Sequence, residues 1–252
     1  MEAELDYTKS AQQNAEAYFE RAKEAKRKLE GAEQAIKRLE QRMAGLEKER
    51  IVAKELHKKE EREWYERFYW FFTSEGELAI GGRSAQQNEE VVAKYFDSSD
   101  LFFHANIFGA SVVVLKNGTK AGDAAKNETA QFAACFSKAW EEGLAAVDVF
   151  SAKKEQVSKS KSGGSLGTGS FLISGEREWY RNVKLELAAT ISKKLNIVPC
   201  TAQAAPGMRG SVALRPGKAK KSDAAKAIAK KLGYADIDYV MQHLPPGGFS
   251  LS

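Results

Sequence analysis

Two stretches of this 252-residue sequence combine glycines with polar side chains in a pattern suited to holding an anion. The first, Leu78–Glu89, contains Gly81-Gly82-Arg83 directly before a predicted helix. Backbone N–H groups at a helix N-terminus bind anions, and an adjacent guanidinium adds a charge-assisted contact. The second, Leu101–Lys116, places His104 at a corner of small residues between two apolar runs. Together the two stretches predict a phosphate-binding corner.

Each of these residues also has a structural interpretation. Ser84-Ala-Gln-Gln87 is a capping box, which explains Ser84 and part of the role of Gln87 without any ligand. A histidine such as His104 can stack on a base, donate to a phosphate or act in acid–base chemistry. It is equally compatible with a side chain satisfied by contacts in the core. Lys116 ends an apolar run, where it suits either a phosphate contact or an ordinary surface position.

The sequence lacks the motifs that mark common catalytic and metal sites. HExxH, Walker and G-x-S-x-G motifs and Cys/His clusters are absent, and the chain has 3 histidines. Gly163–Gly169 is glycine-rich and follows several lysines, so it suits a loop that tracks phosphates or a plain surface loop. We therefore predict no catalytic residue, no metal and no cofactor. An enzyme that uses His104 on a nucleotide or RNA remains an alternative.

The positive charge is concentrated in one part of the sequence. The net charge is +5, yet residues 1–63 carry 15 Lys/Arg against 15 Asp/Glu and residues 64–150 carry 7 against 12. Residues 151–231 carry 17 against 5, and residues 232–252 carry 2 acidic residues. Clustered lysines and arginines bind polyanions by releasing condensed counterions. The asymmetry therefore indicates either a nucleic-acid partner or a solvated basic face.

The composition is that of a soluble globular protein, with 43% hydrophobic and 10% aromatic residues. No apolar run approaches the roughly 18–20 residues needed to span a bilayer. The acidic stretch Met1–Asp6 lacks the layout of a signal peptide. The two cysteines, Cys135 and Cys200, lie far apart without CxxC partners. These features predict a reduced, cytoplasmic protein with no membrane partner.

A helical pattern occupies the first quarter of the chain, from Ala11 to Arg62, and it carries a heptad seam that degrades at Arg50 and His57. Small and apolar residues recur there at alternating spacings of three and four, which is typical of a coiled coil. One helix alone cannot bury such a seam, so the arm requires a second strand from another copy, another protein or its own hairpin. The seam residues are Ala15, Tyr18, Ala22, Ala25, Leu29, Ala32, Ile36, Leu39, Met43 and Leu46.

The remainder of the sequence predicts an α+β fold whose strands come in hairpin-like pairs. Val183–Ile191 alternates strictly between apolar and other residues, which predicts a half-exposed strand. Further strands are predicted at 77–80, 101–104, 111–115, 145–150, 169–174, 196–200 and 211–215. The predicted helices are 84–96, 128–141, 223–232 and 236–244.

Several stretches, taken in order, resemble a known family. The succession resembles the NFACT-R domain, which closes the NFACT proteins, the NEMF/RqcH-type factors of ribosome-associated quality control. Leu5–Phe19 is similar to the start of their second coiled-coil arm, and Leu244–Gly248 is similar to the tail of archaeal members. The stretches that carry the NFACT-R resemblance are Arg62–Phe72, Ile80–Glu89, Phe103–Ser111, Gln131–Trp140 and Gln156–Lys159.

This resemblance implies an RNA-binding function without established catalysis. Family members bind large ribosomal subunits obstructed by peptidyl-tRNA and recruit tRNA, so that a non-templated tail is added to the stalled chain. The sequence departs from the family at Ser84, where an aspartate is usual, and at Phe108, where a histidine is common. The N-terminal NFACT half is missing, which makes the chain a truncated product, a stand-alone module or a partner-dependent half.

We therefore predict a coiled-coil arm (1–62), a mixed or antiparallel NFACT-R core with flanking helices (63–175) and a basic C-terminal extension (176–252). The expected partners are the large ribosomal subunit, tRNA, and a second coil from this chain or the missing NFACT half. A coiled-coil adaptor without a direct RNA role is the other alternative. The predicted RNA-binding side chains are Arg83, Gln87, Asn88, His104, Ser111, Lys116 and Lys159, and the predicted phosphate-binding backbone is that of Gly81, Gly82 and Gly109.

Overall fold

The computed structural model describes residues 4–56, 63–161, 164–191, 194–200 and 209–251. The chain divides into two compact units, residues 1–61 and 62–252. The helices are α1 (Ala11–Leu56), α2 (Ala85–Lys94), α3 (Asp123–Cys135), α4 (Lys138–Glu141), α5 (Lys221–Leu232) and α6 (Ile237–His243). The strands are β1 (Tyr69–Phe72), β2 (Leu78–Gly81), β3 (Leu101–Ala105), β4 (Val113–Leu115), β5 (Ala146–Ala152), β6 (Val157–Ser158), β7 (Ser160–Lys161), β8 (Gly164–Ser165), β9 (Leu172–Ile173), β10 (Glu178–Lys184), β11 (Leu187–Ile191), β12 (Leu195–Pro199), β13 (Arg209–Ala219) and β14 (Phe249–Leu251).

The first unit contains the long helix α1. A capping box fixes its start, because the Gln13 N–H donates to Ser10 Oγ (3.2 Å) and the Ser10 N–H donates to Gln13 Oε1 (2.9 Å). The described side chains of the heptad seam include exposed apolar ones, among them Leu29, Ile36 and Met43. An apolar stripe of this kind is buried only against another element. The coiled coil itself stays a prediction, and its predicted end at Arg62 lies outside the described residues.

The second unit is built on a six-stranded sheet of order β1-β2-β4-β3-β5-β10, with antiparallel pairing throughout. Successive residues of a strand point to opposite faces. Phe103 and Val149 therefore pack on one face in the cluster that contains α3, while Phe102 and Phe150 pack on the other face with α2. These antiparallel sheets and flanking helices confirm the predicted α+β class.

A second sheet, of order β12-β11-β13-β14, completes this unit together with α5 and α6. Its buried side chains share one hydrophobic cluster with α3 and the first sheet. The Trp140 Nε1–H also donates to the Gly248 carbonyl (3.0 Å), and the ammonium of Lys194 lies 2.7 Å from Glu66 Oε1. The predicted boundary after residue 175 precedes β10, which is the edge strand of the first sheet. As a domain boundary it stays a prediction.

The helix predicted at 128–141 is wrong in its extent. α3 begins earlier, at Asp123, and the chain leaves the helix before α4 starts at Lys138. Ser137 accounts for the break, because its hydroxyl accepts the Ala139 N–H (3.2 Å) as an N-cap and donates to the Ala134 carbonyl (2.6 Å). Within the described residues, no helix is long and apolar enough to cross a membrane.

The strand predicted at Val183–Ile191 is also wrong, because it is two strands in different sheets. β10 ends at Lys184 in the first sheet, and β11 begins at Leu187 in the second. Four of the five residues of β11 are buried, so this strand is covered on both faces rather than half-exposed. Ala188 and Thr190 occupy the positions that the alternation predicts to be exposed, yet both are buried.

Candidate nucleic-acid interface

A cavity of about 720 Å³ lies against the first sheet. Three segments line it: residues 82–85 at the start of α2, residues 104–111 at the end of β3 and after it, and residues 168–173 leading into β9. Its volume is in the range of about 300–1,000 Å³ that is usual for small-ligand sites. The two stretches that the sequence marked as a phosphate-binding corner therefore lie side by side around one cavity.

The start of α2 is fixed against β4 by close backbone packing. The Asn88 Oδ1 accepts the Val112 N–H (3.1 Å), and the Gly82 N–H donates to the Val112 carbonyl (3.1 Å). A Cβ added at Gly82 would lie 2.2 Å from Asn88 Oδ1 and 2.6 Å from Asn88 N. Only glycine permits this approach, so the Gly-Gly turn is required by the fold whether or not a ligand binds.

His104 lies on β3 among aromatic rings. Its ring centroid is 5.8 Å from that of Phe150 and 6.2 Å from that of Phe102. Burial lowers the pKa of His104, contacts with two backbone carbonyls partly oppose this, and the Arg177 guanidinium lowers it further. The ring is therefore neutral at pH 7, and because its one N–H faces these backbone carbonyls, the nitrogen left for a ligand is the acceptor.

The glycine-rich segment before β9 forms the third wall. The Gly169 N–H donates to Glu89 Oε1 (3.0 Å), and a Cβ added at Gly169 would lie 2.8 Å from Ala85 Cα. Gly169 also has a φ of +76°, a left-handed conformation that favours glycine. Phe171 follows, with its ring edge-on to Phe102 at a centroid distance of 6.2 Å. This segment therefore lies against α2 and adds an aromatic side chain to the cavity.

The residues around this cavity match a family model. The model, described as the NFACT protein RNA binding domain, matches residues 67–175, which include all three lining segments. The archaeal Rqc2 homolog aRqcH of Methanocaldococcus jannaschii is 38% identical over 75% of this chain and 29% of its own length. The chain belongs to the NFACT family.

Relatives of this NFACT chain are much longer than it is. The ribosome quality control complex subunit NEMF homolog of Drosophila melanogaster is 33% identical over 76% of this chain and 20% of its own length. The chain thus spans less than a third of either relative. A solved structure, the C-terminal of the fibronectin/fibrinogen-binding protein from Streptococcus suis, is 24% identical over 46% of each chain, with a TM-score of 0.41. That likeness is too low to bear on fold or function.

Six of the ten predicted site residues line the cavity of the NFACT-R domain: Gly82, Arg83, Asn88, His104, Gly109 and Ser111. The structure does not bring the other four into the lining. Gly81 is a buried residue of β2 that pairs with Tyr69 and Val113. The Gln87 amide is near the cavity, where its Oε1 accepts the Arg83 N–H (3.0 Å).

Arg83 lines the cavity of the NFACT-R domain, but its guanidinium points toward the C-terminal residues. It donates to the Phe68 carbonyl (2.7 Å), to the Glu66 carbonyl (3.2 Å) and to Nε2 of His243 (3.0 Å). Its Cζ also lies 5.3 Å from the ring centroid of Tyr69. These contacts are structural, and the predicted contact of Arg83 with RNA stays a prediction.

The two predicted lysines both pair with carboxylates. Lys116 donates to Asp97 Oδ2 (3.0 Å), to the Tyr95 carbonyl (3.0 Å) and to the fully buried carboxylate of Asp100. Lys159 pairs with Glu89, and its ammonium lies 5.5 Å from the ring centroid of Phe171. Lys159 is therefore at the rim of the cavity, while Lys116 lies outside it. Their predicted phosphate contacts stay predictions.

The sequence reasoning missed the aromatic and cationic part of this NFACT-R cavity. Phe102, Phe150, Phe171 and Arg177 line it, and the Arg177 Cζ lies 4.6 Å from the ring centroid of Phe150. The only local signal for this part in the sequence was the alternation that runs from Arg177 along β10, in which every second side chain lies on the same face of the sheet. No group of three or more His, Cys, Asp or Glu that could hold a metal ion occurs within the described residues.

Proposed function

We propose that this chain is an RNA-binding factor of ribosome-associated quality control, and that its cavity takes one unpaired nucleotide of the RNA. The observation that carries the proposal is the composition of the cavity lining. Aromatic rings, a neutral histidine and a guanidinium meet there, inside a domain whose family model is described as RNA-binding. Unpaired bases are recognised by stacking on such rings and by hydrogen bonds to their exposed edges.

The chemistry of the lining distinguishes a base from a phosphate alone. An isolated phosphate needs several N–H donors, whereas the Gly82 N–H and the Arg83 guanidinium already donate to protein carbonyls. Phe102 and Phe171 offer apolar surface instead, and the neutral His104 ring offers an acceptor nitrogen to a base edge. Arg177 is the cation placed to meet the phosphate of the same nucleotide.

A basic surface elsewhere in the second unit supplies further phosphate contacts in this proposal. The side chains of Lys218 and Lys220 before α5, and of Lys226, Lys230 and Lys231 on it, are exposed. Such lysines bind the RNA backbone without reading its sequence, and their contribution falls as salt is added. We assign recognition to the cavity and much of the salt-dependent affinity to this basic surface.

The names of the relatives support a proposal about which cellular RNA this chain binds. One is a ribosome quality control complex subunit homolog and another an Rqc2 homolog. We therefore propose that the RNA belongs to a stalled large ribosomal subunit or its tRNA, which places the chain in the cytoplasm. The exposed Leu29, Ile36 and Met43 on α1 support a coiled-coil partner for the first unit, either a second copy or another NFACT segment.

Replacing Phe171 by alanine tests the cavity. Base–aromatic stacking contributes about 1–3 kcal/mol per base, so we expect Phe171→Ala to weaken binding of adenosine monophosphate and of a single-stranded RNA hexanucleotide by roughly 5- to 150-fold. Calorimetry for the nucleotide and fluorescence anisotropy for the labelled hexanucleotide measure the two affinities.

Phe72→Ala is the matched control for this experiment. Phe72 is the last residue of β1, 40% exposed, and contacts the rings of Tyr65 and Trp70 outside the cavity lining. It should bind both ligands as the unmodified chain does, and thermal unfolding shows whether both variants are folded. A folded Phe171→Ala variant with unchanged affinities would refute the proposed role of the cavity.

A further inference from the structure

One face of the first sheet carries a row of rings across three strands, which begins with two rings in the cavity lining and continues past the cavity to a third. We infer that the far end of this row, beyond the cavity, is a stacking platform for the nucleotides that follow the one bound in the cavity, so that the site takes a single-stranded RNA segment rather than one nucleotide. The inference rests on the proposed function, since it extends the path of the same RNA. The residues that carry it are His104 on β3, Phe150 on β5 and Trp179 on β10.

Strand register places these three rings side by side. His104 is the cross-strand partner of Phe150, and Phe150 is the cross-strand partner of Trp179. Directly opposed residues of paired strands project from the same face of a sheet. The ring centroids confirm the row, with 5.8 Å from His104 to Phe150 and 5.5 Å from Phe150 to Trp179.

The row lies on the face of the sheet opposite to the main core, and its middle ring, Phe150, is itself buried at 6% exposure. Phe103, Val149 and Tyr180 point to the opposite face and pack in the cluster that contains α3. On the face of the row, Phe150 belongs to the smaller cluster with α2, while Trp179 is 36% exposed. The row therefore starts in the lining of the cavity and ends at a tryptophan open to solvent.

Two arginines cover the row and make it suited to a polyanion. The Arg177 Cζ lies 4.6 Å from the ring centroid of Phe150, and the Arg181 Cζ lies 4.2 Å from that of Trp179. Arg181 also contacts Asp148 (2.6 Å), so a carboxylate holds its guanidinium in place beside Trp179. Rings and stacked guanidinium groups are the surfaces on which single-stranded bases stack, and the same cations meet the phosphates between them.

The geometry favours a single strand over other occupants. The bases of a duplex are stacked inside it and cannot reach rings that lie on a sheet. An apolar peptide would gain little from a surface whose rings are covered by two guanidinium groups. Three strands about 4.8 Å apart give the row a length of roughly 10 Å, which suits two or three bases including the one in the cavity.

Trp179→Ala tests the platform separately from the cavity. We expect it to leave adenosine monophosphate binding unchanged and to weaken binding of a single-stranded RNA hexanucleotide by about tenfold, within the range for loss of one stacked base. Trp179→Phe keeps an aromatic ring and should restore most of that affinity. Trp64→Ala is the matched control, because Trp64 is 44% exposed and stacks on Tyr95 rather than on the sheet row.

A second pair of variants tests the cations. Arg181→Gln should lower the slope of log affinity against log salt by about 0.7, the value for one phosphate contact on a single strand. Arg67→Gln should leave the slope unchanged, although Arg67 also has a ring contact (4.9 Å to Phe68) and a carboxylate partner in Glu90.

The outcomes separate this inference from the proposed function. If Phe171→Ala weakens both ligands while Trp179→Ala binds the hexanucleotide normally, the cavity stands and the platform is overturned. If Trp179→Ala weakens the mononucleotide as much as the hexanucleotide, the platform is not an extension and is likewise overturned. An acidic peptide that displaces the hexanucleotide from the unmodified chain but not from Trp179→Ala would assign the row to a protein partner instead. If neither variant affects either ligand, both proposals fail together.

Discussion

Replacing Lys116 by methionine is expected to lower the unfolding free energy of the second unit by about 3 kcal/mol, because it leaves a buried carboxylate without its counterion. Asp100 is fully buried and accepts the Asp97 N–H (2.8 Å) and the Asn117 N–H (2.8 Å) in addition to the Lys116 ammonium. Methionine keeps an unbranched side chain, one atom shorter than that of lysine, but leaves Asp100 without its cation. Urea unfolding at pH 7.5 measures the loss.

Two further variants establish the cause of that loss. Lys94→Met removes an exposed lysine that pairs with Glu90 along α2 (3.1 Å), and it should change the unfolding free energy by less than about 0.5 kcal/mol. The double variant Lys116→Met/Asp100→Asn removes both charges and should recover part of the stability. If Lys116→Met is as stable as the unmodified chain, the ion pair contributes nothing and Lys116 is available to a ligand.

The same Lys116 variant tests the phosphate contact predicted from sequence. A lost phosphate contact lowers the salt dependence of RNA binding by nearly one unit of the log–log slope. An unchanged slope in a destabilised but folded Lys116→Met variant assigns the residue to the fold alone. Lys159, at the rim of the cavity beside Phe171, is the better candidate for a phosphate contact, since Glu89 and RNA can compete for its ammonium.

Local patterns in the sequence predicted the parts of the fold that local hydrogen bonds determine. The capping box at Ser10 fixed the start of α1, because both partners of each bond lie within three residues. At α2 the predicted box is half formed: Ser84 caps the Gln87 N–H, but the Gln87 Oε1 accepts the N–H of Arg83 instead of that of Ser84. The antiparallel pair β3–β4 followed from the corner of small residues between two apolar runs. The same stretches marked two of the three segments that line the cavity.

Patterns could not show which contacts form between distant segments. The third wall depends on Gly169 lying against Ala85, and the Arg83 guanidinium reaches His243 across 160 positions of sequence. The apolar alternation in Val183–Ile191 does not reveal that the chain passes from the first sheet to the second within it. Both β10 and β11 have apolar residues at alternate positions, so the pattern is unbroken where the sheet changes. Burial of the other residues of β11 comes from the second sheet and the helices around it, which a single strand does not encode.

The Arg83–His243 contact links the NFACT-R domain to the C-terminal residues and makes their stability sensitive to acid. The Nδ1 of His243 lies 2.8 Å from the Tyr239 carbonyl, which can only accept, so Nδ1 carries the proton. Nε2 is then the acceptor for the Arg83 guanidinium at 3.0 Å. Protonation of Nε2 would place two cations against each other. Burial, and then Arg83, lower the pKa of His243 to about 4.

A histidine whose pKa is lowered on folding stabilises the folded state above its ordinary pKa near 6.5, and this contribution is lost as the pH falls toward the folded pKa of about 4. Between pH 7.5 and 4.5, His243 binds a proton in the unfolded chain but stays largely unprotonated in the folded chain. We expect His243 alone to reduce the unfolding free energy by about 2.5 kcal/mol over that interval. Urea unfolding at the two pH values measures the change.

His243→Gln separates this effect from the titration of carboxylates, because glutamine keeps a donor and an acceptor but takes up no proton. The unmodified chain should lose about 2.5 kcal/mol more than His243→Gln between pH 7.5 and 4.5, whatever both lose through other groups. Equal losses would mean that His243 titrates alike in both states, and that the Arg83 guanidinium does not depend on it.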